Sequence, residues 1–466
     1  MFNKEIYRKR RDNLRRKVGN GLVLLLGNND SPANYQDNAY RFRQDSTFLY
    51  FFGHSHPGLA GVIDADMGED MLCGTDVDMD DIIWMGPQPT IGDKAVSVGV
   101  EKSGTLADLK SVVCSAIRQG RRVHFLPQYR HDNQVWLKEL TGIRHCEQQN
   151  YVSQVLINAV VNLRSRKECC EIEELDLACN IGYEMHTTAM RMCKEGVHEQ
   201  FIAGAIDGIA LAYGSMVSFP TILSQHGEIL HNHGHEGVLQ RGRMMLTDAG
   251  VERMSSYCSD HTRTVPVGGK FDSRQRDIYT AVLDCHDHAL ALARPGVTYK
   301  DVHLSVCKVL AQHLKALGLM KGNVDDAVAA GAHALFLPHG LGHMLGLDVH
   351  DMENLGQVNV GYDSEVRPSS QFGLASLRMG RKLESGFVVT DEPGCYFIPA
   401  LIDKWKAEKM HADFLNYDVI ETYKDFGGIR LEDDILITDE GSRFLGEKRI
   451  PITIEEVETF MNNQNK

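Results

Sequence analysis

Four apolar stretches in the second half of the chain run into carboxylates: "RMMLTDAG" at 243–250, "SDHTRTVPVGG" at 259–269, "GFVVTDEPGCYF" at 386–397 and "GGIRLEDDILIT" at 427–438. Apolar strands belong in a core, and an acid at their ends is costly to bury without a partner. If the first two stretches form a hairpin, Asp248 and Asp260 face each other across it, about 5 Å apart at Cβ. Carboxylates that close repel strongly unless a cation sits between them. Each acid alone has a plainer reading. Asp248 suits a turn or cap, and Asp260 beside Arg263 suits a salt-bridged strand end. Asp391 and Glu392 suit a turn before Pro393–Gly394, and the acids at 432–434 suit an ion pair with Arg430.

The stretch "PHGLGHMLGLDVHD", Pro338 to Asp351, adds three histidines within fourteen residues. Glycines at 340, 342 and 346 make it a poor helix, so a pair of zinc ligands on one helical face is excluded. Taken with the strand-end acids, it yields the set Asp248, Asp260, His343, Glu392 and Glu432. Four carboxylates and one imidazole suit hard or borderline cations, manganese best, with cobalt or zinc as substitutes. Four negative charges balance two divalent ions, so the set points to a two-metal site.

At 466 residues the chain calls for two domains. Residues 22–26, 47–52 and 60–64 read as strands, 104–120 as a helix and "RRVHFLP" after it as a strand, an α/β pattern. From about residue 160 the texture changes to long helical stretches beginning at Lys167 and near 197–213 and 274–293. Domains of 1–160 and 161–466 follow. A net charge of −14 argues against nucleic acid as a partner, while 43% hydrophobic and 24% charged residues describe a soluble globular chain. The basic opening "MFNKEIYRKRRDNLRRKVG" reads as a solvated amphipathic helix, with no apolar signal core after it. "LVLLL" is far too short to span a bilayer, so no membrane partner is expected. Eleven scattered cysteines without a CxxC pair fit reduced thiols in a cytoplasm. Cys169 and Cys170 read as buried small hydrophobes on a helix.

The ordered motifs "LTDAG", "SDHTRT", "HGLGHMLGLDVHD", "TDEPG" and "GIRLEDD" resemble those of the pita-bread-fold metallopeptidases, in particular the proline-specific branch of prolidase and aminopeptidase P. "YRFRQDSTFLYFFG" and "GVIDADMGE" resemble that branch's creatinase-like N-terminal domain, so the resemblance covers essentially the whole chain. It implies an α/β (α+β) architecture, a creatinase-like domain followed by a pita-bread catalytic domain. Where the family usually has isoleucine after the second metal aspartate, this chain has His261. Its glutamate motif reads Thr-Asp-Glu-Pro, with Asp391 where valine is commoner, and the hairpin between the aspartates looks one residue longer.

The resemblance implies that one metal is held by Asp260, His343, Glu392 and Glu432, and the other by Asp248 with shared Asp260 and Glu432. The metals would activate a water as nucleophile. Glu392 would shuttle its proton, and His350 and His231 would steady the carbonyl oxygen. His339 would line the pocket or pack as a neighbouring imidazole, and His233 and His235 would lie in a solvated loop. Proline lacks a backbone N–H and fixes φ, so peptidases that grip an extended backbone handle Xaa-Pro bonds badly.

Arg378, in "SLRMGR", stands where prolidases carry the arginine for a dipeptide's terminal carboxylate, and a guanidinium fork suits that job. The favoured substrate is therefore a small peptide with proline second, a dipeptide ahead of the longer peptides of aminopeptidase P. A metal-free binding scaffold of the same fold is disfavoured, because all five ligand positions keep liganding side chains. The resemblance also implies a homodimer. Trp84 stands where relatives place an aromatic near the substrate, and a half-buried core tryptophan is an equal reading.

Overall fold

"LVLLL" becomes the strand Leu22–Leu26, buried at every position, as a continuous apolar run inside a sheet should be. In this computed structural model the described residues are Met1 to Asn463. They form two compact units, Met1–Arg164 with Asn354–Asn359, and Ser165–Glu353 with the residues from Val360 on. The first unit holds a five-stranded sheet in the order Lys102–Gly104, Glu69–Cys73, Ala60–Asp64, Leu22–Leu26, Val123–His124. The middle three strands pair antiparallel and the two edge strands join in parallel. The helix Leu106–Arg118 starts with a Thr105–Asp108 capping box and buries Leu109, Val113 and Ala116 in the same core.

Two local expectations for this unit are overturned. Residues 47–52 are no strand: "STFLYFF" is a helix, Ser46–Phe52, buried at every residue. Asp45 accepts the Phe48 N–H at its start, and Gly53 closes it in the left-handed conformation. Burial all round removes the polar face that separates helical from strand periodicity, so only the caps carried the signal. The basic opening is the expected helix, Lys4–Val18, but it is not simply solvated. Arg10 and Arg11 are buried, and Arg11 pairs with Asp70 at 2.6 Å and donates to the carbonyls of Phe51, Val98 and Gly99.

In the second unit the expected helices are Cys169–Met192, Glu199–Ala212 and Ser273–Leu292, joined by Tyr299–Ala316. Cys169 is exposed at the first of these helix starts, against the expectation of a buried thiol, and Cys170 is half-buried. All eleven cysteines are free. The strands Ile222–Ser224, Met244–Ala249 and His261–Pro266 make one sheet, Val388–Asp391, Asp433–Ile437 and Ser442–Phe444 a second, and Gly394–Tyr396 pairs with Gly428–Arg430. Among the described residues no helix is long and apolar enough to cross a membrane.

Candidate active site

Five separate segments of the second unit deliver the five ligand candidates to one place. Asp248 lies in Met244–Ala249, which pairs antiparallel with His261–Pro266. The register corrects the expected facing pair: Asp248 opposes Thr262, which makes Asp260 its diagonal neighbour on the same face, about 7–8 Å away along the strand. Glu432 enters through a bridge to Thr262, whose hydroxyl donates to Glu432 Oε2 at 2.7 Å. Glu392 follows the strand Val388–Asp391, and its N–H donates to Leu341 O at 2.9 Å. The His343 segment is stitched to that strand by Thr390 N–H to His343 O at 3.0 Å and His343 N–H to Thr390 Oγ1 at 3.1 Å. Gly342 permits this approach, since a Cβ there would lie 2.0 Å from Thr390 O.

The His343 ring has a defined tautomer. Nδ1 faces the carbonyl of Met344 at 3.0 Å, and a carbonyl only accepts, so Nδ1 carries the proton. The lone pair of Nε2 is left towards Asp260 Oδ2 at 3.5 Å and Glu392 Oε1 at 3.8 Å. Ligand atoms of Asp260, His343 and Glu432 all lie within 4.8 Å of one another. Asp248 Oδ1 and Asp260 Oδ1 are buried without a hydrogen-bond partner. Burial, reinforced by the neighbouring carboxylates, pushes the Asp260 and Glu432 carboxyls well above the usual range. Burial likewise raises Glu392 to about 8, against the pull of Arg430. Arg430 is packed among these acids: it pairs with Asp248 Oδ2 at 2.5 Å and donates to Tyr396 Oη at 2.9 Å and Thr262 Oγ1 at 3.1 Å. One guanidinium cannot neutralise four carboxylates. Orphaned buried oxygens, a pre-aimed imidazole lone pair and excess negative charge make this donor set fit divalent cations.

These ligands open onto a cavity of about 540 Å³, which is also lined by His231, His339, His350 and Arg378. All the expected site residues are therefore brought together. The His350 ring lies tilted across that of His343, centroids 4.0 Å apart, and holds Glu353 Oε2 through Nδ1 at 2.5 Å. Arg378 pairs with the same Glu353. His339 Nε2 lies 2.8 Å from Tyr396 Oη, and its Nδ1 meets the Gly340 carbonyl. His233, exposed in an irregular segment as expected, also lines the cavity, its ring 6.5 Å from that of His231. Phe219, Pro220, Ile222, Leu230 and Val349 supply the apolar part of the wall.

The sequence reading missed several partners. Arg430 stood only as a possible ion-pair partner, and Glu353 and Tyr396 not at all. Asp391 turns away from the cavity and opposes Asp433 in the strand register. His286 lies beside both, 3.3 Å from Asp433 and 4.0 Å from Asp391. Asp433 also pairs with Arg263 and Arg449, whereas both Asp391 oxygens lack a hydrogen-bond partner. Asp434 Oδ2 accepts the Asp260 N–H at 2.9 Å and so holds that ligand's backbone. In the first unit Trp84 is 85% exposed, which removes the core-tryptophan reading.

Comparison with known proteins agrees with this geometry. Residues 173–439 match the model of metallopeptidase family M24, and residues 7–126 match that of the aminopeptidase P N-terminal domain. The chain is 33% identical to the Xaa-Pro dipeptidase of Homo sapiens, over 96% of this chain and 89% of that one. It is 30% identical to the Xaa-Pro aminopeptidase of Escherichia coli, over 99% and 98%. Among solved structures, aminopeptidase P from E. coli with the inhibitor Pro-Leu superposes with a TM-score of 0.80 at 29% identity, covering 100% of this chain and 99% of that one. With more than half its length matched by the family model, and its acids and histidine gathered at one cavity, the chain belongs to metallopeptidase family M24.

Proposed function

We propose that this protein hydrolyses the Xaa-Pro bond of small peptides, dipeptides by preference, with two divalent cations at the carboxylate-rich cavity. The observation that carries this reading is one cavity lined by four carboxylates and an imidazole, with the guanidinium of Arg378 on its wall. Asp260, His343, Glu392 and Glu432 would hold one cation, and Asp248 with shared Asp260 and Glu432 the other. The oxygen-rich donors favour manganese, with cobalt or zinc able to substitute. A solved structure of the E. coli aminopeptidase P is zinc-substituted, with product bound.

When bound, the cations polarise the scissile carbonyl and acidify the attacking water. The remaining work falls to the chain. Glu392, half-buried and with a raised proton affinity, takes the water's proton and passes it to the departing proline nitrogen. His231 and His350 flank the carbonyl oxygen as its charge develops. Glu353 fixes the His350 ring through Nδ1 and leaves Nε2 for the substrate. Arg378 receives the terminal carboxylate, which would share the guanidinium with Glu353. A carboxylate anchored there sets substrate length, and no grip on a backbone N–H that proline lacks is required. The Xaa-Pro dipeptidase and aminopeptidase relatives support the proline preference.

Aminopeptidase P activity on longer peptides is the second reading, favoured by near-complete coverage of the E. coli aminopeptidase. Manganese-dependent hydrolysis of Ala-Pro alongside Ala-Pro-Ala decides between them. Cleavage of Ala-Pro alone is expected, and strong cleavage of the tripeptide moves the protein to the second reading. A homodimer belongs to the same proposal. Met79, Ile83, Trp84 and Met85 are exposed on one short helix and offer apolar surface for it, and sedimentation equilibrium checks the mass.

A further inference from the structure

A second cluster of ligand-type side chains lies in the catalytic unit and shares no residue with the carboxylate set. His303 and Cys307 sit four residues apart on the helix Tyr299–Ala316, which places them one above the other on a single face. His333 faces them from the 3₁₀ turn Ala332–Leu335, which begins at left-handed Gly331. The three are almost completely buried. One ligand atom from each falls within 4.8 Å of the others, and the His303 Nε2 to Cys307 Sγ distance is 3.5 Å. A cation bonded at about 2.0–2.3 Å to each donor needs them about 3.5–4 Å apart, so only small side-chain shifts separate this arrangement from coordination.

The hydrogen-bond pattern is the second observation. Neither ring nitrogen of His333 has a hydrogen-bond partner, and neither does His303 Nδ1, although all are buried. Buried imidazoles normally satisfy at least one nitrogen, and an unpaired one in the interior calls for an occupant. We propose that His303, Cys307 and His333 form a structural site for one thiophilic closed-shell cation, copper(I) or zinc(II). The donors are soft where those of the catalytic cavity are hard, so the two sites would select different metals. A single thiolate cancels the charge of copper(I), and three donors complete a trigonal shell. Zinc would keep a net positive charge in a buried site and seek a fourth donor. On binding, the Cys307 thiol proton leaves to solvent and its sulfur lone pair forms the metal bond, with no oxidant or reductant consumed. The ion would tie the Tyr299–Ala316 helix to the turn that leads through Leu337 and Pro338 to His339.

The test uses the full chain produced in medium supplemented with zinc, copper or cobalt, so that metal is present as it folds. The purified protein is then dialysed against EDTA, which empties the open cavity. About one ion per chain should remain, and the cobalt-loaded protein should show a thiolate-to-cobalt charge-transfer band that carboxylate and imidazole ligands do not give. Elemental analysis identifies zinc or copper as the ion retained. Cys307→Ser and His333→Gln should abolish retention and the band, while Cys179→Ser, at the other buried cysteine–histidine–aspartate cluster, leaves both unchanged. A wild-type protein that retains no metal after dialysis overturns the proposal, even if the variants fail to fold. Retention indifferent to both Cys307 and His333 overturns it equally.

Discussion

Single residues decide how the acids of the cavity coexist. Arg430 bonds Asp248, Tyr396 and Thr262 at once. Arg430→Met should therefore destabilise the metal-free protein by about 3–5 kcal/mol, the cost of stranding a buried charge, as read by urea unfolding. On the proposed assignment Glu432→Ala would remove a shared ligand and should abolish manganese-dependent cleavage, and an unchanged rate would sink that assignment. Arg378→Ala should lower kcat/KM for Ala-Pro by about 100-fold, within the range for loss of a charge pair to substrate. Tripeptides should lose far less, and equal losses on both would remove the length-gauging role. The four carboxylate candidates stood out because a carboxylate at the end of an apolar strand is out of place without a partner, and His343 stood out through the crowding of histidines between Pro338 and Asp351. The role of Asp391 was not legible. Its neighbour His286 is far away in sequence, and only the fold brings them together. Both Asp391 oxygens lack a hydrogen-bond partner, and its ionic neighbour His286 keeps Asp433, so Asp391→Val should gain about 1–2 kcal/mol in unfolding experiments, the reverse of removing a satisfied group.

At the scale of elements, close approach of backbones sets the site. The His343 segment and the Val388–Asp391 strand touch where Gly342 leaves no room for a Cβ. Gly342→Ala should push them apart and weaken metal binding while the helices persist, a separation visible by calorimetric titration alongside circular dichroism. Long amphipathic helices were readable from period alone. The register of the Asp248 hairpin was not, because a diagonal pair and a facing pair present the same residues to the same face. "STFLYFF" misled for a different reason: a helix buried all round has no polar stripe, and its evidence lay in Asp45 and Gly53 at its ends.

At the scale of the whole molecule, each unit buries a histidine whose neutral form burial favours, His54 and His186, in contrast to His286 beside its acids. Burial lowers His54 in the first unit and His186 in the second to about 4. Unfolded, each binds a proton near pH 6.5, so between pH 6.5 and 4 the unfolded state holds more protons and stability falls as pH falls. Each contributes up to about 1.4 kcal/mol per pH unit in that window. Compared with wild type, His186→Gln should lose less stability on acidification through this window, by up to that amount, as read by thermal unfolding at each pH. The two-domain organisation was visible as a change of texture along the chain, but the assignment of Asn354–Asn359 to the first unit depends on packing that no local pattern records.

The scatter of the ligands along the chain also orders events in time. Asp248, Asp260, His343 and Glu392 all leave the ribosome before Arg430 and Glu432, which arrive together on one short segment. Until that segment docks, the earlier acids have neither their guanidinium nor their shared fourth carboxylate. With the proposed ligands, cation capture would be a late checkpoint of synthesis, and a nascent chain halted short of residue 430 should let metal go as fast as it comes.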